Sequence, residues 1–386
     1  MTTPTSLTTP SELSVALLAH IRQEIEHAGG WIGFDRFMDL ALYAPGLGYY
    51  ANGTTKFGAM PQGLRDGAGV LSGQGSDFVT APELTPLFGF SLAQQLAQAL
   101  QATATCELWE FGAGTGALAL QVLDALAAMG QRVDRYTIVD LSPSLKARQR
   151  VTLEQHLDKV RWVDALPAQM QGVVLGNEVL DAMPVQLLAR VSGQWLERGV
   201  ALSAQPHAAL AWADRPTAQR PPLDIDGPHD YLTEVHAQGE AFVRTLGARL
   251  TQGAVFLLDY GFPESEYYHP QRHMGTVMCH RAHRADDNPL LDVGLKDITA
   301  HVNFTGVAVA AQDAGLELLG YTNQAHFLIN CGLVQLLENA PLAQRVAAQK
   351  LIMEHEMGEL FKVIGLVKGA PFEAMGFSRG DKTHRL

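Results

Sequence analysis

Three glycines at alternate positions, Gly112, Gly114 and Gly116, follow Glu110 at the end of an apolar run that begins at Cys106. Glycine turns through left-handed conformations and lets a ligand approach the backbone with no Cβ in the way. A second apolar run, Tyr136 to Val139, ends in Asp140, where a ribose diol would lie. A carboxylate at that point accepts hydrogen bonds from free hydroxyls and selects against phosphate. Leu141 follows it, and a third run, Val160 to Val163, ends in Asp164-Ala165. A fourth, Gly172 to Gly176, leads into Asn177-Glu178, with Asp181 close behind. Carboxylates at the carboxyl end of a buried strand sit where open α/β sheets bind ligands, and there they can orient a cation.

The elements that must position these groups can be read from periodicity. The apolar runs suit strands buried on both faces. After Gly116, Leu118, Val122, Leu123 and Leu126 recur at helical spacing, so a helix N-terminus faces the ligand. The dinucleotide fingerprint needs a longer gap before its third glycine, which argues against an NAD-dependent oxidoreductase. Ser142-Pro143 opens a helix to about Leu157. Ahead of the glycine run, Thr80 and Glu83 form a capping box with Pro82 in the first turn of a helix over 83–101, whose N-terminus points into the same cleft. Further strands are expected at Val255 to Tyr260, Leu316 to Tyr321 and Phe361 to Lys368, with a helix over 305–314. A hairpin is expected around Ser192-Gly193, and a helix resumes near Tyr231.

The chain has 386 residues, enough for one large domain with insertions or for two. Lys and Arg total 28 against 40 Asp and Glu, a net charge of −12, which disfavours broad binding to nucleic acid. Three scattered cysteines, Cys106, Cys279 and Cys331, argue against a disulfide framework and for a reducing compartment. No apolar run approaches a membrane span, and Met1 to Ser14, rich in Thr, Ser and Pro, reads as a frayed tail rather than a targeting signal. A helix begins near Ser11, with Leu13, Leu17, Ile21 and Ile25 as its apolar stripe, and ends at Gly29-Gly30; a second lies around Asp35 to Leu42. The glycine-heavy stretch from Asn52 to Gly75 reads as a surface loop or a mobile lid. His269, His273, Cys279, His280 and His283 invite a zinc site, but neither a CxxC nor an HExxH spacing supports one.

Glu110 with the glycine run and Asp140 resembles the first two motifs of class I S-adenosylmethionine-dependent methyltransferases. Longer runs are similar to the MidA family within that class: Phe37 to Tyr43 with Gly48-Tyr49-Tyr50, Asp77 to Glu83, Asn177 to Val185, Asp259-Tyr260-Gly261, Gly275-Thr276 and Asp297 to Phe304. The resemblance spans most of the chain. Ala113 and Thr115 stand where that family usually has proline and arginine, and Asp140 where it has glutamate; both changes keep the cofactor chemistry.

The resemblance implies a doubly wound, Rossmann-like α/β fold with a seven-stranded sheet in the order 3-2-1-4-5-7-6, its last strand antiparallel. Residues 1–76 then form a helical extension and loop, and residues 77–386 the methyltransferase domain, with insertions at about 186–230 and 261–304. S-adenosyl-L-methionine would be held by Thr80, Pro82, Glu110, Gly112, Gly114, Gly116, Asp140, Leu141, Asp164, Ala165 and Asn177. Glu178 and Asp181, with His301 from the last matched run, are the catalytic candidates, and no metal is expected. Mitochondrial members methylate an arginine on a subunit of respiratory complex I and support its assembly, which implies a protein substrate, no nucleic-acid partner, no membrane insertion, a cytoplasmic location for this chain and room for a homodimer. Methylation of another protein nitrogen or of a small molecule, and a non-catalytic cofactor-binding assembly factor, remain open alternatives.

Overall fold

In the computed structural model, which describes residues 10–52, 80–205, 209–281 and 284–386, the apolar runs pair into one twisted sheet. Its strands are β1 (Glu107–Phe111), β2 (Arg135–Val139), β3 (Val160–Val163), β4 (Met170–Asn177), β5 (Leu250–Phe262), β6 (Glu317–Asn323) and β7 (Phe361–Lys368). Their spatial order is β3-β2-β1-β4-β5-β7-β6, with β7 antiparallel to both neighbours and the other pairs parallel. This is the expected doubly wound order. A two-residue strand, Val302–Asn303, extends the sheet alongside the end of β5.

Successive residues of these strands point to opposite faces, and both faces are covered. Leu108, Val173, Leu175, Phe256, Leu258 and Val363 pack with helices Leu87–Ala102 and Ala117–Ala128. Trp109, Phe111, Val174, Val255, Leu257 and Ile364 pack with helices Ala237–Arg249 and Phe304–Asp313. The expected helix over 83–101 is broken. Ala81–Leu84 forms one short turn, Thr85 is extended (φ −162°), and the long helix begins at Leu87, because Pro86 disfavours helical geometry in the residue before it.

A second sheet contains Ile32–Gly33, Gln186–Val191, Gln194–Leu202, Leu210–Pro216 and Tyr231–Val235. Ser192 and Gly193 (φ +50° and +81°) turn the expected hairpin. Tyr231 to Val235 is a strand, not the start of a helix: its alternating pattern puts Tyr231 and Thr233 in buried positions opposite Arg190 and Leu188, and the helix begins only at Ala237. This sheet packs through Leu187 and Val200 on helices Pro10–His27 and Phe34–Tyr43, which contribute Leu17, Ile21, Ile25 and Phe37. A small sheet, Met278–Arg281, Arg284–Asp286 and Asp297–Thr299, joins the same core through Cys279 and Ile298. Among the described residues, no helix is long and apolar enough to cross a membrane. The expected frayed tail up to residue 9, the glycine-heavy loop beyond Asn52, Asp77 and His283 lie outside the described residues.

Candidate active site

β1 delivers Glu110 to a turn in which Gly112, Gly114 and Gly116 all have positive φ, +66°, +50° and +85°. A side chain at these angles is strained. At Gly112 a Cβ would also stand 3.0 Å from Val179 Cγ2. The turn is fastened from outside. Gln149 Nε2 donates to the carbonyl of Gly114 (3.0 Å) and to Asp140 Oδ2 (2.8 Å), while its Oε1 accepts from Trp162 Nε1 (2.8 Å). One fully buried glutamine thus ties the turn to the ends of β2 and β3. Thr152 Oγ1 donates to the carbonyl of Thr115 (2.8 Å), and Thr115 Oγ1 donates to Glu83. Glu83 is therefore committed to the glycine turn, and Thr80, although at the helix N-cap, makes no side-chain capping bond.

Glu110 is buried and accepts a hydrogen bond from Tyr136 OH (2.8 Å). Burial, only partly offset by that bond, pushes its carboxyl up to about 8. Asp140 is also raised by burial, against hydrogen bonds from Ser142 N–H and Gln149.

Acidic groups gather beside this turn, at the same carboxyl edge of the sheet, where β4 runs parallel to β1. β4 ends in Asn177, and Glu178 then adopts φ +54°, a left-handed conformation that is uncommon for a residue with a long side chain. What holds it there is Asp259 of β5: its Oδ2 accepts from the N–H groups of Val179 (3.0 Å), Leu180 (2.8 Å) and Asp181 (3.2 Å). Asn177 Nδ2 donates to Glu178 Oε1 (2.9 Å). Burial, reinforced by the neighbouring carboxylates, pushes Glu178 up to about 8 and Asp181 well above the usual carboxylate range. Asp259 rises to about 7 by burial, tempered by its backbone donors. Asp181 Oδ1 and Asn177 Oδ1 are buried without a hydrogen-bond partner.

A cavity of about 690 Å³ is lined by both turns. It is lined by ten of the residues expected at the site: Thr80, Pro82, Glu110, Gly112, Gly114, Asp140, Leu141, Asn177, Glu178 and Asp181. Gly116 lies outside the lining as the left-handed cap of the following helix. Asp164 pairs with Lys146, and neither it nor Ala165 reaches the cavity lining. His301 packs against Tyr260 and Phe262, ring centroids 6.1 and 5.2 Å away, so it meets the cavity only through Tyr260; burial lowers it to about 4 and keeps it neutral.

The cavity is also lined by Tyr43, Tyr50, Glu83, Tyr260, His280 and Asp297, which the sequence showed only within the family-like runs, the capping box or a histidine-bearing loop and to which it assigned no site role. For Tyr260 the signal was present, since Asp259-Tyr260 falls at the end of a buried strand, as Glu110 and Asp140 do. Among the described residues no group of three or more His, Cys, Asp and Glu side chains is arranged to hold a metal ion. The histidines of the 269–280 segment face different ways: His269 Nδ1 accepts from Gln271 N–H, His273 packs on His229, and His280 lines the cavity.

The cavity fits S-adenosyl-L-methionine. Its left-handed glycine turn leaves room for close backbone approach, Asp140 offers a carboxylate for ribose hydroxyls, and Asn177 Oδ1 is an acceptor still lacking a donor.

Comparison with known proteins agrees. Residues 91–322 match the profile of a family of S-adenosyl-L-methionine-dependent methyltransferases. A protein from Burkholderia thailandensis, a candidate methyltransferase crystallised with S-adenosyl-homocysteine, is 48% identical, superposes with a TM-score of 0.91, and is covered over 100% of both chains. The zebrafish (Danio rerio) mitochondrial protein arginine methyltransferase NDUFAF7 is 26% identical over 93% of this chain and 89% of its own length. For human NDUFAF7 the identity is 25%, over 93% of this chain and 85% of that protein. Fold, glycine turn and matched residues together place the chain in the S-adenosyl-L-methionine-dependent methyltransferase family that its MidA-like motifs had indicated.

Proposed function

We propose that this methyltransferase acts on a guanidino nitrogen of an arginine side chain in a protein substrate. The observation that carries the reading is the buried acidic end of the cavity, where Glu178 and Asp181 face the space beyond the glycine turn and Asp181 Oδ1 has no partner. A buried carboxylate acceptor is costly to leave unpaired, and a guanidinium, with its fork of donors, satisfies two such groups at once. The relatives named protein arginine methyltransferases support the same acceptor. From the MidA resemblance we take a subunit of respiratory complex I as the partner.

When bound, S-adenosyl-L-methionine supplies a methyl group on a positively charged sulfur, ready for in-line displacement. The chain's own residues do the rest by positioning. The glycine turn and Asp140 fix one reactant. Glu178 and Asp181 accept N–H bonds from the guanidinium and bias its electrons towards the reacting nitrogen. Methylation of a guanidinium adds a positive charge, so a proton must leave that nitrogen. A carboxyl group of Glu178 poised near 8 is suited to accept it. His301 has a supporting part, packing the Tyr260 ring that lines the pocket.

The test is incubation of the purified protein with isotopically labelled S-adenosyl-L-methionine and a protein extract, followed by mass spectrometry of the labelled residues. Label on arginine is the expected result. Label confined to lysine, to another side chain or to small molecules overturns the acceptor assignment.

A further inference from the structure

The carboxylates of the catalytic turn make only one side of the acidic pocket. The opposite side comes from two segments that are remote in sequence and belong to neither β4 nor β5. Asp297, at the start of a strand in the small sheet, lines the cavity, is buried (1% exposed), and accepts hydrogen bonds from Tyr50 OH through both Oδ1 and Oδ2 (2.8 Å each). Its Oδ1 also accepts from the N–H of Ile298 (3.0 Å). The ring of Tyr50 stacks on that of Tyr43, with centroids 5.6 Å apart and planes inclined by 22°, and both rings line the cavity. Tyr43 OH is anchored on the carbonyl of Ala182 (2.8 Å), and Ala300 N–H donates to the carbonyl of Asp181 (2.9 Å). These bonds clamp the tyrosine pair and the Asp297 strand against the turn that carries Asp181.

We propose that Asp297 and Asp181 together form the acceptor-specificity subsite, gripping a planar cationic side chain from two sides, with Tyr50 holding the Asp297 carboxylate in place and the Tyr43–Tyr50 pair forming its aromatic wall. The proposal rests on the arginine reading for the identity of the cation. Two features of this arrangement suit a guanidinium. Asp181 carries a buried oxygen with no donor, so the pocket is incomplete without a ligand that donates. Aromatic side chains favour a flat delocalised cation, which packs on rings as well as donating in its plane. Asp297 would touch the acceptor; Tyr50 acts through Asp297 and is a positioning residue.

The experiment is calorimetric titration of the whole protein, saturated with S-adenosyl-homocysteine, with Nα-acetyl-arginine amide, its neutral isostere Nα-acetyl-citrulline amide and Nα-acetyl-lysine amide. The wild type should bind the arginine compound and discriminate against citrulline. Asp297→Asn should weaken arginine binding on the order of tenfold or more and narrow the arginine-to-citrulline ratio by a similar factor, since a charge-assisted bond is replaced by a neutral one. Tyr50→Phe keeps the carboxylate but removes its donor and should weaken binding about threefold. In both variants S-adenosyl-homocysteine affinity should stay within about twofold and the melting temperature should show a folded protein, since neither residue touches the glycine turn. A folded Asp297→Asn variant that binds the arginine compound within about twofold of wild type, with its citrulline discrimination intact, overturns the subsite while leaving arginine methylation standing. If the lysine compound binds in an Asp297-dependent way and the arginine compound does not, the subsite stands and the arginine reading falls. If the wild type binds none of the three, both fall.

Discussion

At one end of the cavity, the glycine turn, Asp140 and Gln149 come from two adjacent strands and the helix that follows the second, each a short step along the chain from the next. At the other end, Asp181 owes its position to Asp259, 78 residues later, and Asp297 meets Tyr50 across 247 residues. The first end is built from backbone conformation, in positions where only glycine sits without strain. The second is built from buried carboxyl groups whose burial favours their protonated forms. A common cofactor can be held by local geometry that needs little support from elsewhere. On the reading proposed above, an acceptor pocket assembled from distant segments could be altered without disturbing that geometry, which would make specificity separable from cofactor binding.

The sharpest break of this contrast is Gly114→Val. The branched side chain cannot adopt φ near +50° without strain and fills the space of backbone approach, so measurable S-adenosyl-L-methionine binding should disappear while circular dichroism and melting still report a folded chain. Retained affinity in a folded variant would mean that the turn is only structural.

The next largest effect is on stability, and here the two ends should behave alike. Glu110 and Glu178 each rise from 4.5 to about 8, so between those values the unfolded chain binds fewer protons than the folded one. The contribution of these groups to ligand-free stability is therefore fully present below about pH 4.5 and falls as pH rises towards about 8, on the order of 5 kcal/mol for each group. Chemical denaturation across that range should show the decline, and Glu110→Gln and Glu178→Gln should each remove part of it. A flat profile would show that both carboxyls are ionised at neutral pH in the free protein.

Turnover should then separate the ends. Glu178→Gln should leave S-adenosyl-L-methionine affinity within about twofold while lowering single-turnover methyl transfer at least about a hundredfold. Wild-type kcat/KM should rise with pH up to about 8, as Glu178 ionises, and this rising limb should be absent in the variant. Near-normal transfer by the folded variant would reduce Glu178 to a structural member of the turn. Asp140→Asn should do the reverse: cofactor affinity falls by about 1–2 kcal/mol, with little change in transfer at saturating cofactor. An equal loss for a 2′,3′-dideoxyribose analogue would show that Asp140 does not contact the ribose.

The same contrast explains what could be read from the sequence. Gly112, Gly114, Gly116 and Asp140 were legible because each is marked by its neighbours: a buried strand ends, a special residue follows, a helix begins. Strand order followed from the resemblance those motifs carried. Asp297 and Tyr50 stood out only as members of family-like runs, because the contact between them joins segments far apart in the chain and no local pattern records it. The left-handed Glu178 was equally hidden, since its angle is imposed by a carboxylate on another strand. Two local readings failed for local reasons. Thr80 and Glu83 have capping-box spacing, but Glu83 is claimed by Thr115, and Tyr231 begins a run whose pairing with Gln186–Arg190 outweighs helical spacing.

The Ala300 N–H bond to the carbonyl of Asp181, together with the pairing of Gly261 with Val302, anchors the far end of the 261–304 segment to the turn that carries Asp181 and to the tip of β5. That segment is consequently not a freely exchangeable module. A relative's version grafted here would have to reproduce both attachments or shift Asp181, so the segment and the turn are expected to change in concert as the enzyme diverges towards new acceptors.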